Sequence, residues 1–211
     1  MYEPKADILT FGQQVFRFEL PMEFCNALNE RMDKELKDGT YTDASHQLSA
    51  KIKKEYRIVN WLPDVDKENI FIKCIQNVMK KVTHYNSFDV HSVVVDNAWI
   101  NDQYEGEYQV VHKHSGKSLI GFASILYLKV PDFGEEYNKP EQPHNGRTML
   151  LGNCQGQFSK KNMMIQPTVG DFYIFPYDLE HLVYPFRGDG MRRSLSLNYD
   201  VFHKHMTQKV K

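Results

Sequence analysis

The spacing of apolar residues changes near residue 90, and the two spacings predict two kinds of structure. Before that point, apolar residues recur every three or four positions in two stretches, which is typical of helices packed on one face. The first stretch follows Pro21, a residue favoured at the first helical position, and stops near Gly39. Its apolar members are Cys25, Leu28, Met32 and Leu36, and those of the second stretch, after Asp66, are Phe71, Cys74, Ile75, Val78 and Val82. We therefore expect two helices that brace one side of a sheet, preceded by a strand within residues 8–19.

From residue 90 onward, apolar residues alternate with polar ones or form short runs bounded by Gly, Pro, Asn and Asp. The predicted strands are 90–100, 119–130, 148–151, 162–166, 171–175 and 193–202. Many short strands without helices between them indicate a sandwich or barrel. A cupin-like jelly roll, or double-stranded β-helix, protects its edge strands and leaves an open mouth between its sheets. The predicted fold class is therefore α+β, mainly β, with a jelly-roll core.

Length and patterning predict a single domain in three parts. At 211 residues with 41% hydrophobic composition, the chain can bury one substantial core. Residues 1–89 form a strand-and-helix preface in which we detect no chemistry, residues 90–202 form the jelly roll, and residues 203–211 form a tail. The segment 131–146 holds three prolines and several charges, and it is predicted to be a flexible loop near the mouth.

Composition excludes several classes of function. The net charge of −1 argues against binding long nucleic acid by bulk charge. No apolar run approaches the ~20 residues of a membrane helix, and the amino terminus lacks the order of a signal peptide. The three cysteines, Cys25, Cys74 and Cys154, are odd in number and far apart, as expected for reduced and mostly buried thiols. A cytoplasmic protein is the expectation.

Candidate chemistry begins with histidines. His112-Lys113-His114 places two imidazoles on the same face of an extended strand, and an apolar strand follows. His181 comes after a turn and a buried strand, which would bring it to the edge of the sheet. The alternative for each is a surface histidine. The same tripeptide recurs at His203-Lys204-His205, where no later strand follows, so we interpret the second copy as part of the tail.

The second candidate is an arginine near the start of the last strand. Alternation puts Ser196 and Asn198 on one face with Arg192 and Ser194, and it puts Arg193 on the other face with two leucines. One of the two arginines must therefore point inward or lie at the strand end. A buried arginine without an anion costs several kcal/mol, and a bound dicarboxylate would remove that cost. The alternative is a surface ion pair for Arg192. Three nitrogen donors and an anion-binding arginine are the components of a non-haem iron site that holds a 2-oxo acid.

These motifs, taken in order, resemble the Fe(II)/2-oxoglutarate-dependent oxygenase superfamily. The matching positions are Trp99-Ile100-Asn101, Tyr108, His112-Lys113-His114, Tyr127-Leu128, Val130-Pro131, Gly170-Asp171, Phe175-Pro176, His181-Leu182-Val183, Pro185-Phe186 and the run from Arg192 to Asn198. Within the superfamily, the chain is most similar to the oxygenases with a His-x-His motif that are often encoded by tailed phages, including cyanophages. The resemblance covers residues 90 to 202 approximately.

The resemblance implies a role for each matching residue. His112 and His181 would bind Fe(II), while Arg192, Ser194 and Tyr127 would bind the distal carboxylate of 2-oxoglutarate. The chain departs from most of the superfamily at His114, where an Asp or Glu usually completes the metal site. We expect His114 to be the third ligand, which raises the charge of the centre by one unit. Alternatively, His114 turns away and water or a nearby acid, such as Asp178 or Glu180, takes its place.

The implied activity is a dioxygenase that hydroxylates an unidentified substrate while 2-oxoglutarate is decarboxylated to succinate. The substrate could be a small molecule or a protein side chain, because the fold cannot choose between them. Two alternatives remain: a non-catalytic jelly roll that binds a ligand or belongs to a virion, and a three-histidine cupin-type enzyme without a 2-oxo acid. The chain would act in the cytoplasm, which is the host's if a phage encodes it. Its oligomeric state is left open.

Overall fold

The computed structural model describes residues 3–10, 13–45, 51–86, 90–134, 143–152 and 161–203. Within them the chain forms twelve strands and three helices. The first part contains β1 (Asp7–Thr10), β2 (Gln14–Glu19), α1 (Met22–Asp38), β3 (Thr42–Asp43), β4 (Lys54–Arg57), α2 (Leu62–Val65) and α3 (Ile70–Asn86). The second part contains β5 (Val90–Gln103), β6 (Gln109–His112), β7 (Gly121–Lys129), β8 (Thr148–Leu151), β9 (Asn162–Ile165), β10 (Asp171–Pro176), β11 (Glu180–Val183) and β12 (Arg192–His203).

The strands form two antiparallel sheets. The large sheet has eight strands in the order β1-β2-β10-β7-β12-β5-β4-β3, and the small sheet has four in the order β6-β11-β8-β9. One apolar cluster joins the two sheets, since Tyr127 and Phe175 come from the large sheet, while Leu150 and Ile165 come from the small one. Two facing sheets with this strand order form the predicted double-stranded β-helix.

The two long helices cover the other face of the large sheet. Phe71 of α3 lies between Phe24 of α1 and Phe172 of β10, with ring centroids 5.4 Å and 5.3 Å away. The predicted apolar stripes supply this core, in which Cys25, Leu28, Met32, Cys74, Ile75 and Val78 are fully buried. Burying these apolar side chains is the main stabilisation that holds the helices to the sheet.

The helix boundaries follow from local chemistry. Gly39 adopts a left-handed conformation (φ 69°) and its N–H donates to the carbonyl of Glu35, which ends α1 where the sequence predicted. At the start of α3, the carboxylate of Asp66 accepts hydrogen bonds from the backbone N–H groups of Ile70 (2.6 Å) and Phe71 (3.2 Å). Asp66 therefore satisfies two donors that the first helical turn leaves free.

Alternation along β12 separates two environments. Leu195, Leu197 and Tyr199 lie in the core beneath the helices. Ser194 and Ser196 face the opposite way, toward the small sheet, and line a cavity there. The same alternation in β5 turns Asn97, Trp99 and Asn101 toward that cavity, with Ala98 and Ile100 in the helix-side core. The two longest strands thus carry a polar floor for the site.

Several details differ from the sequence-based expectation. The strands β3, β4, β6 and β11 were not in the predicted set, and β5 continues to Gln103, beyond the predicted end at residue 100. Strand β12 extends to His203. Cys25 and Cys74 are free and buried as expected, and burial raises the pKa of the Cys25 thiol to about 11. Cys154, residues 135–142 of the predicted loop, and the pair Lys204-His205 lie outside the described residues. No described helix is both long enough and apolar enough to cross a membrane.

Candidate metal centre

Three imidazoles meet at the edge of the small sheet that is formed by β6. His112 is the last residue of β6 and lies opposite His181 of β11 in the strand register. His114 follows two residues later, and its backbone N–H donates to the carbonyl of Tyr177 at 3.0 Å. One ring nitrogen from each histidine lies within 4.8 Å of the other two. The Nε2 atoms of His114 and His181 are 3.3 Å apart.

Backbone carbonyls orient two of these rings. The Nδ1 of His112 is 2.8 Å from the carbonyl oxygen of Val110, and the Nδ1 of His181 is 3.0 Å from that of Leu179. Because a carbonyl oxygen can only accept, each Nδ1 carries the proton and donates it. In the neutral rings, Nε2 then keeps its lone pair, which is the arrangement that metal-binding histidines use.

Aromatic neighbours hold the other faces of the cluster. The His114 ring stacks on Trp99 with centroids 5.8 Å apart, and it lies nearly parallel to the His181 ring at 5.1 Å. Phe175 meets His181 edge-on at 4.9 Å. These contacts restrict rotation of the imidazoles, so the ring positions are set before any ligand arrives.

Burial keeps the imidazoles neutral. Burial is the main cause that lowers the pKa of His112. For His114, burial and the repulsion that a protonated His112 would exert lower the pKa to about 4. The pKa of His181 falls well below its ordinary value, first by burial and then by repulsion from the other two rings. Neutral imidazole is the form that binds metal ions.

The two nearby acids are placed differently from the histidines. Asp178 and Glu180 are both exposed. Glu180 directly precedes His181 in β11, so its side chain points to the opposite face of the strand. Over the described parts of the chain, the group of side chains that could hold a metal contains three imidazoles and no carboxylate.

The imidazoles open onto a cavity of about 280 Å³ between the two sheets. Ile125, Phe175 and Val183 supply apolar surface, while the floor carries the hydroxyls of Ser194 and Ser196. Thr148, at the start of β8, lines the cavity as well. Such a mixture of apolar walls and a few placed polar groups is typical of ligand sites.

Arg192 lies immediately behind Thr148 and is only 1% exposed. Its Nη1 donates to Oε1 of Gln103 at 3.0 Å, and its Nη2 donates to the hydroxyl of Thr148 at 3.2 Å. The guanidinium lies over the ring of Tyr127 at 4.8 Å, and Nε has no hydrogen-bond partner among the described residues. Gln103 and Thr148 are both neutral, so these hydrogen bonds do not balance the charge of the buried guanidinium. The expected alternative of a surface ion pair at Arg192 is not observed.

The adjacent Arg193 differs from Arg192 because its hydrogen bonds go to carboxylates. Its Nε and Nη2 donate to the two carboxylate oxygens of Asp102 at 2.7 Å and 2.8 Å, and its Nη1 donates to Asp33 at 2.6 Å. Both arginines are buried, yet within the described part of the chain carboxylates neutralise Arg193 alone, which faces the helices. The guanidinium of Arg192, behind Thr148, is therefore the one left to bind an anion from outside the chain.

Ser194 and Tyr127 are cross-strand neighbours in the register of β12 and β7. Ser194 lines the cavity, whereas Tyr127 is fully buried behind it, and its hydroxyl donates to Thr148 at 2.9 Å. Burial is the main cause that raises the pKa of Tyr127. The six predicted site residues thus form two groups, the histidine cluster and the Arg192 group, and the cavity reaches from the first to the edge of the second.

Sequence reasoning missed two residues of the second group, Thr148 and Gln103. Thr148 accepts hydrogen bonds from both Arg192 and Tyr127. It opens a strand that was predicted, yet nothing in a single hydroxyl marks it as a partner of a residue 44 positions away. Gln103 continues the alternation that directs Asn97, Trp99 and Asn101 toward the cavity. Extending the predicted strand beyond residue 100 would have included Gln103.

Comparison with known proteins identifies a family that matches residues 97–198, described as "Putative 2OG-Fe(II) oxygenase". The match contains every residue of both groups. No curated protein matches the chain significantly. The resemblance to phage-encoded members of the superfamily stays a prediction.

Solved structures of this fold resemble the chain over most of its length. A prolyl-4-hydroxylase from Pseudomonas putida is 14% identical, with 92% of this chain and 94% of that chain covered and a TM-score of 0.60. A prolyl hydroxylase from Trichoplax adhaerens, in complex with a hypoxia inducible factor peptide fragment, is also 14% identical, with 90% and 84% covered and a TM-score of 0.61. HygX from Streptomyces hygroscopicus, with nickel, 2-oxoglutarate and hygromycin B bound, is 8% identical, with 90% and 83% covered and a TM-score of 0.60. The family model covers 102 of the 211 residues, just under half of the chain. The solved structures show that the chain shares the fold of the prolyl hydroxylases.

Proposed function

We propose that this protein is an Fe(II)/2-oxoglutarate-dependent hydroxylase in which His112, His114 and His181 bind Fe(II), while Arg192, Ser194 and Tyr127 bind the distal carboxylate of 2-oxoglutarate. The observation that carries the proposal is the pairing of two groups in one cavity. Three converging imidazoles line it, and Thr148 in its wall contacts a buried guanidinium that has no carboxylate partner among the described residues.

The histidine cluster fits a first-row metal ion. Metal–nitrogen bonds of about 2.1 Å at right angles separate two ligand atoms by about 3 Å. The distance of 3.3 Å between the Nε2 atoms of His114 and His181 is close to that value. The hydrogen bonds from Nδ1 to backbone carbonyls in His112 and His181 supply the outer contacts that ligating imidazoles require. Three neutral ligands leave the full charge of a divalent ion, which a dianionic 2-oxo acid matches.

The Arg192 group fits a carboxylate. The hydroxyl of Thr148 accepts hydrogen bonds from Arg192 and Tyr127, so its own proton is available to an acceptor in the cavity. The hydroxyl of Ser194 faces the same space. A carboxylate bound there would gain hydroxyl donors and neutralise a buried cation, which is worth several kcal/mol.

When bound, Fe(II) and 2-oxoglutarate supply the activation of oxygen, coupled to loss of carbon dioxide and formation of succinate, that inserts one oxygen atom into a substrate C–H bond. The protein contributes position and environment. His112, His114 and His181 fix the metal against the small sheet, and Trp99 with Phe175 keeps water from the back of the rings. Arg192 would hold the distal carboxylate of the cosubstrate, beside the hydroxyls of Thr148 and Ser194.

One protein of the same fold supports hydroxylation, and two indicate the range of substrates. The prolyl hydroxylase of Trichoplax adhaerens is in complex with a peptide, and HygX holds hygromycin B together with nickel and 2-oxoglutarate. A protein side chain or a small molecule is therefore a suitable substrate for a cavity of this architecture.

The test is spectroscopic and anaerobic. Adding Fe(II) and then 2-oxoglutarate should produce a weak visible charge-transfer band, and admitting oxygen should release succinate. The band should disappear in His112→Ala and His181→Ala and persist in the control His144→Ala, whose ring contacts Tyr184 instead of the cluster. Wild-type protein that binds iron but gives neither band nor succinate would overturn the proposal in favour of a metal site that does not use 2-oxo acids.

A further inference from the structure

Glu55 is an acidic side chain inside the cavity, at a position where no chemistry was expected. It lies in β4, next to β5 in the large sheet. The following residue, Tyr56, packs in the helix-side core, so alternation directs Glu55 to the cavity, which it lines. Its side chain is buried, with the residue 5% exposed, and its Oε2 has no hydrogen-bond partner among the described residues.

Asn101 lies directly opposite Glu55 and has the same deficit. The two residues are paired in the register of β4 and β5. Asn101 is 4% exposed, it lines the cavity, and its Oδ1 also has no partner within the described part of the chain. The row continues across the sheet to Ser194 and Tyr127, so Glu55 lies two strand spacings, or about 10 Å, from Ser194.

A buried acceptor that has no donor costs about 1–3 kcal/mol. The backbone groups of Glu55 already have partners, because its N–H donates to the hydroxyl of Ser45 and its carbonyl accepts from the N–H of Ala44. They therefore do not supply a donor to its side-chain oxygen. The side-chain oxygens of Glu55 and Asn101 are therefore placed to receive donors from something that enters the cavity. Among the described residues that line the cavity, Glu55 is the only acid.

We propose that Glu55 and Asn101 form a substrate subsite that binds an amino group, an inference that rests on the hydroxylase function proposed above. A protonated amine supplies several donors and a positive charge, and it satisfies both oxygens at once. The cavity would then hold an anion at the Arg192 end and a cation at the Glu55 end, with the histidines accessible from the same space.

The ionisation of Glu55 agrees with this geometry. Burial raises the pKa of its carboxyl to about 7, Asp43 adds to the increase, and Arg57 opposes it. A cation bound beside the carboxyl would favour the ionised form and move this pKa down again.

The experiment uses metal-free protein with glutamate labelled by ¹³C at the side-chain carboxyl. The Glu55 resonance is identified by its titration near pH 7 and by its absence in Glu55→Gln. We expect n-butylammonium to shift this resonance and to lower the Glu55 pKa by at least one unit. Butyrate should do neither, and n-butanol should act more weakly. In Glu55→Gln the affinity for n-butylammonium should fall at least tenfold, while Glu30→Gln, the same change on the exposed face of α1, should bind as wild type does.

A Glu55 resonance that does not respond to n-butylammonium would overturn the inference, and so would equal affinity in Glu55→Gln. A larger response to n-butanol would overturn the assignment to an amine. The wild-type titration decides the question even if Glu55→Gln folds poorly. Since these measurements contain neither iron nor 2-oxoglutarate, they are independent of the charge-transfer band, which should persist in Glu55→Gln if the hydroxylase function is correct.

Discussion

Several polar residues in and beside the cavity lower the stability of the protein when no ligand is bound. Arg192 is a buried cation that donates to neutral partners, and among the described residues Oε2 of Glu55 and Oδ1 of Asn101 receive no hydrogen bond. Each such group costs free energy in the isolated protein. Unfavourable local choices of this kind concentrate at functional sites, where a ligand compensates for them. Substitutions of Arg192 or Glu55 that remove the buried charge should therefore stabilise the fold and weaken ligand binding.

Arg192→Met should separate stability from function. Methionine keeps much of the volume of the side chain and removes the unbalanced charge, so the free energy of unfolding should stay the same or rise. Affinity for 2-oxoglutarate should fall by more than about 100-fold, because a buried charge pair that loses one partner costs about 3–5 kcal/mol. The charge-transfer band, titrated with 2-oxoglutarate, measures the loss, and iron binding should be unaffected. Unchanged affinity for 2-oxoglutarate would show that Arg192 does not bind the cosubstrate.

Glu55 should make the protein less stable as pH rises. Its pKa is about 7 in the folded state and near 4.5 when exposed, so the folded protein holds the proton more tightly. Its contribution to stability is then fully present below about pH 4.5 and is lost as pH rises through 7, by up to about 3 kcal/mol. Glu55→Gln should abolish this loss. Urea unfolding at pH 5 and pH 8 measures it, with Glu30→Gln as the control, and an equal loss in Glu55→Gln would refute the account.

At the scale of elements, the alternation of β5 and β12 decides which side chains reach the cavity. The period-two pattern in both strands was visible in the sequence, and it correctly placed Arg192, Ser194, Ser196 and Asn198 on one face. The contribution of β4 was not visible. Four residues, Lys54–Arg57, pair with a strand more than 40 positions later, and no local pattern announces such a pairing. Because Glu55 reaches the cavity only through that pairing, residues 1–89 gave no sign of chemistry.

Arg193 links the start of β12 to two other elements of the fold by ion pairs. This side chain connects Asp102 of β5 with Asp33 of α1, and both it and Asp102 are almost completely buried. Asp102→Asn should destabilise the protein by about 3–5 kcal/mol, because it leaves much of the arginine charge uncompensated. Asp64→Asn, which loses the half-exposed contact with Arg31 at 3.9 Å, should cost less than about 1 kcal/mol. Chemical denaturation compares the two, and similar costs would contradict a structural role for the buried pair.

At the scale of the whole molecule, the order of the motifs predicted the jelly roll and the three converging histidines well. The order of the motifs could not give the distances between side chains of the two sheets. The cavity volume and the hydroxyl of Thr148 shared by Arg192 and Tyr127 depend on how the two sheets pack. Side-chain packing between sheets follows from the sum of many weak contacts, which a one-dimensional pattern does not contain.

The same architecture predicts that metal binding stabilises the entire fold. His112 and His181 lie on neighbouring strands of the small sheet, and His114 follows β6, so an ion held by all three connects strands at the mouth between the sheets. A ligand that binds only the folded state at 100 times its Kd adds about 2.7 kcal/mol, which for a chain of this size raises the Tm by about 5–10 °C. Calorimetry with Ni²⁺ in place of oxygen-sensitive Fe²⁺ should show this increase, and a chelator should reverse it. The increase should be small in His112→Ala and His181→Ala. In His114→Ala it should be intermediate if two imidazoles and water can still hold the ion, and an increase equal to that of wild type would remove His114 from the proposed ligands.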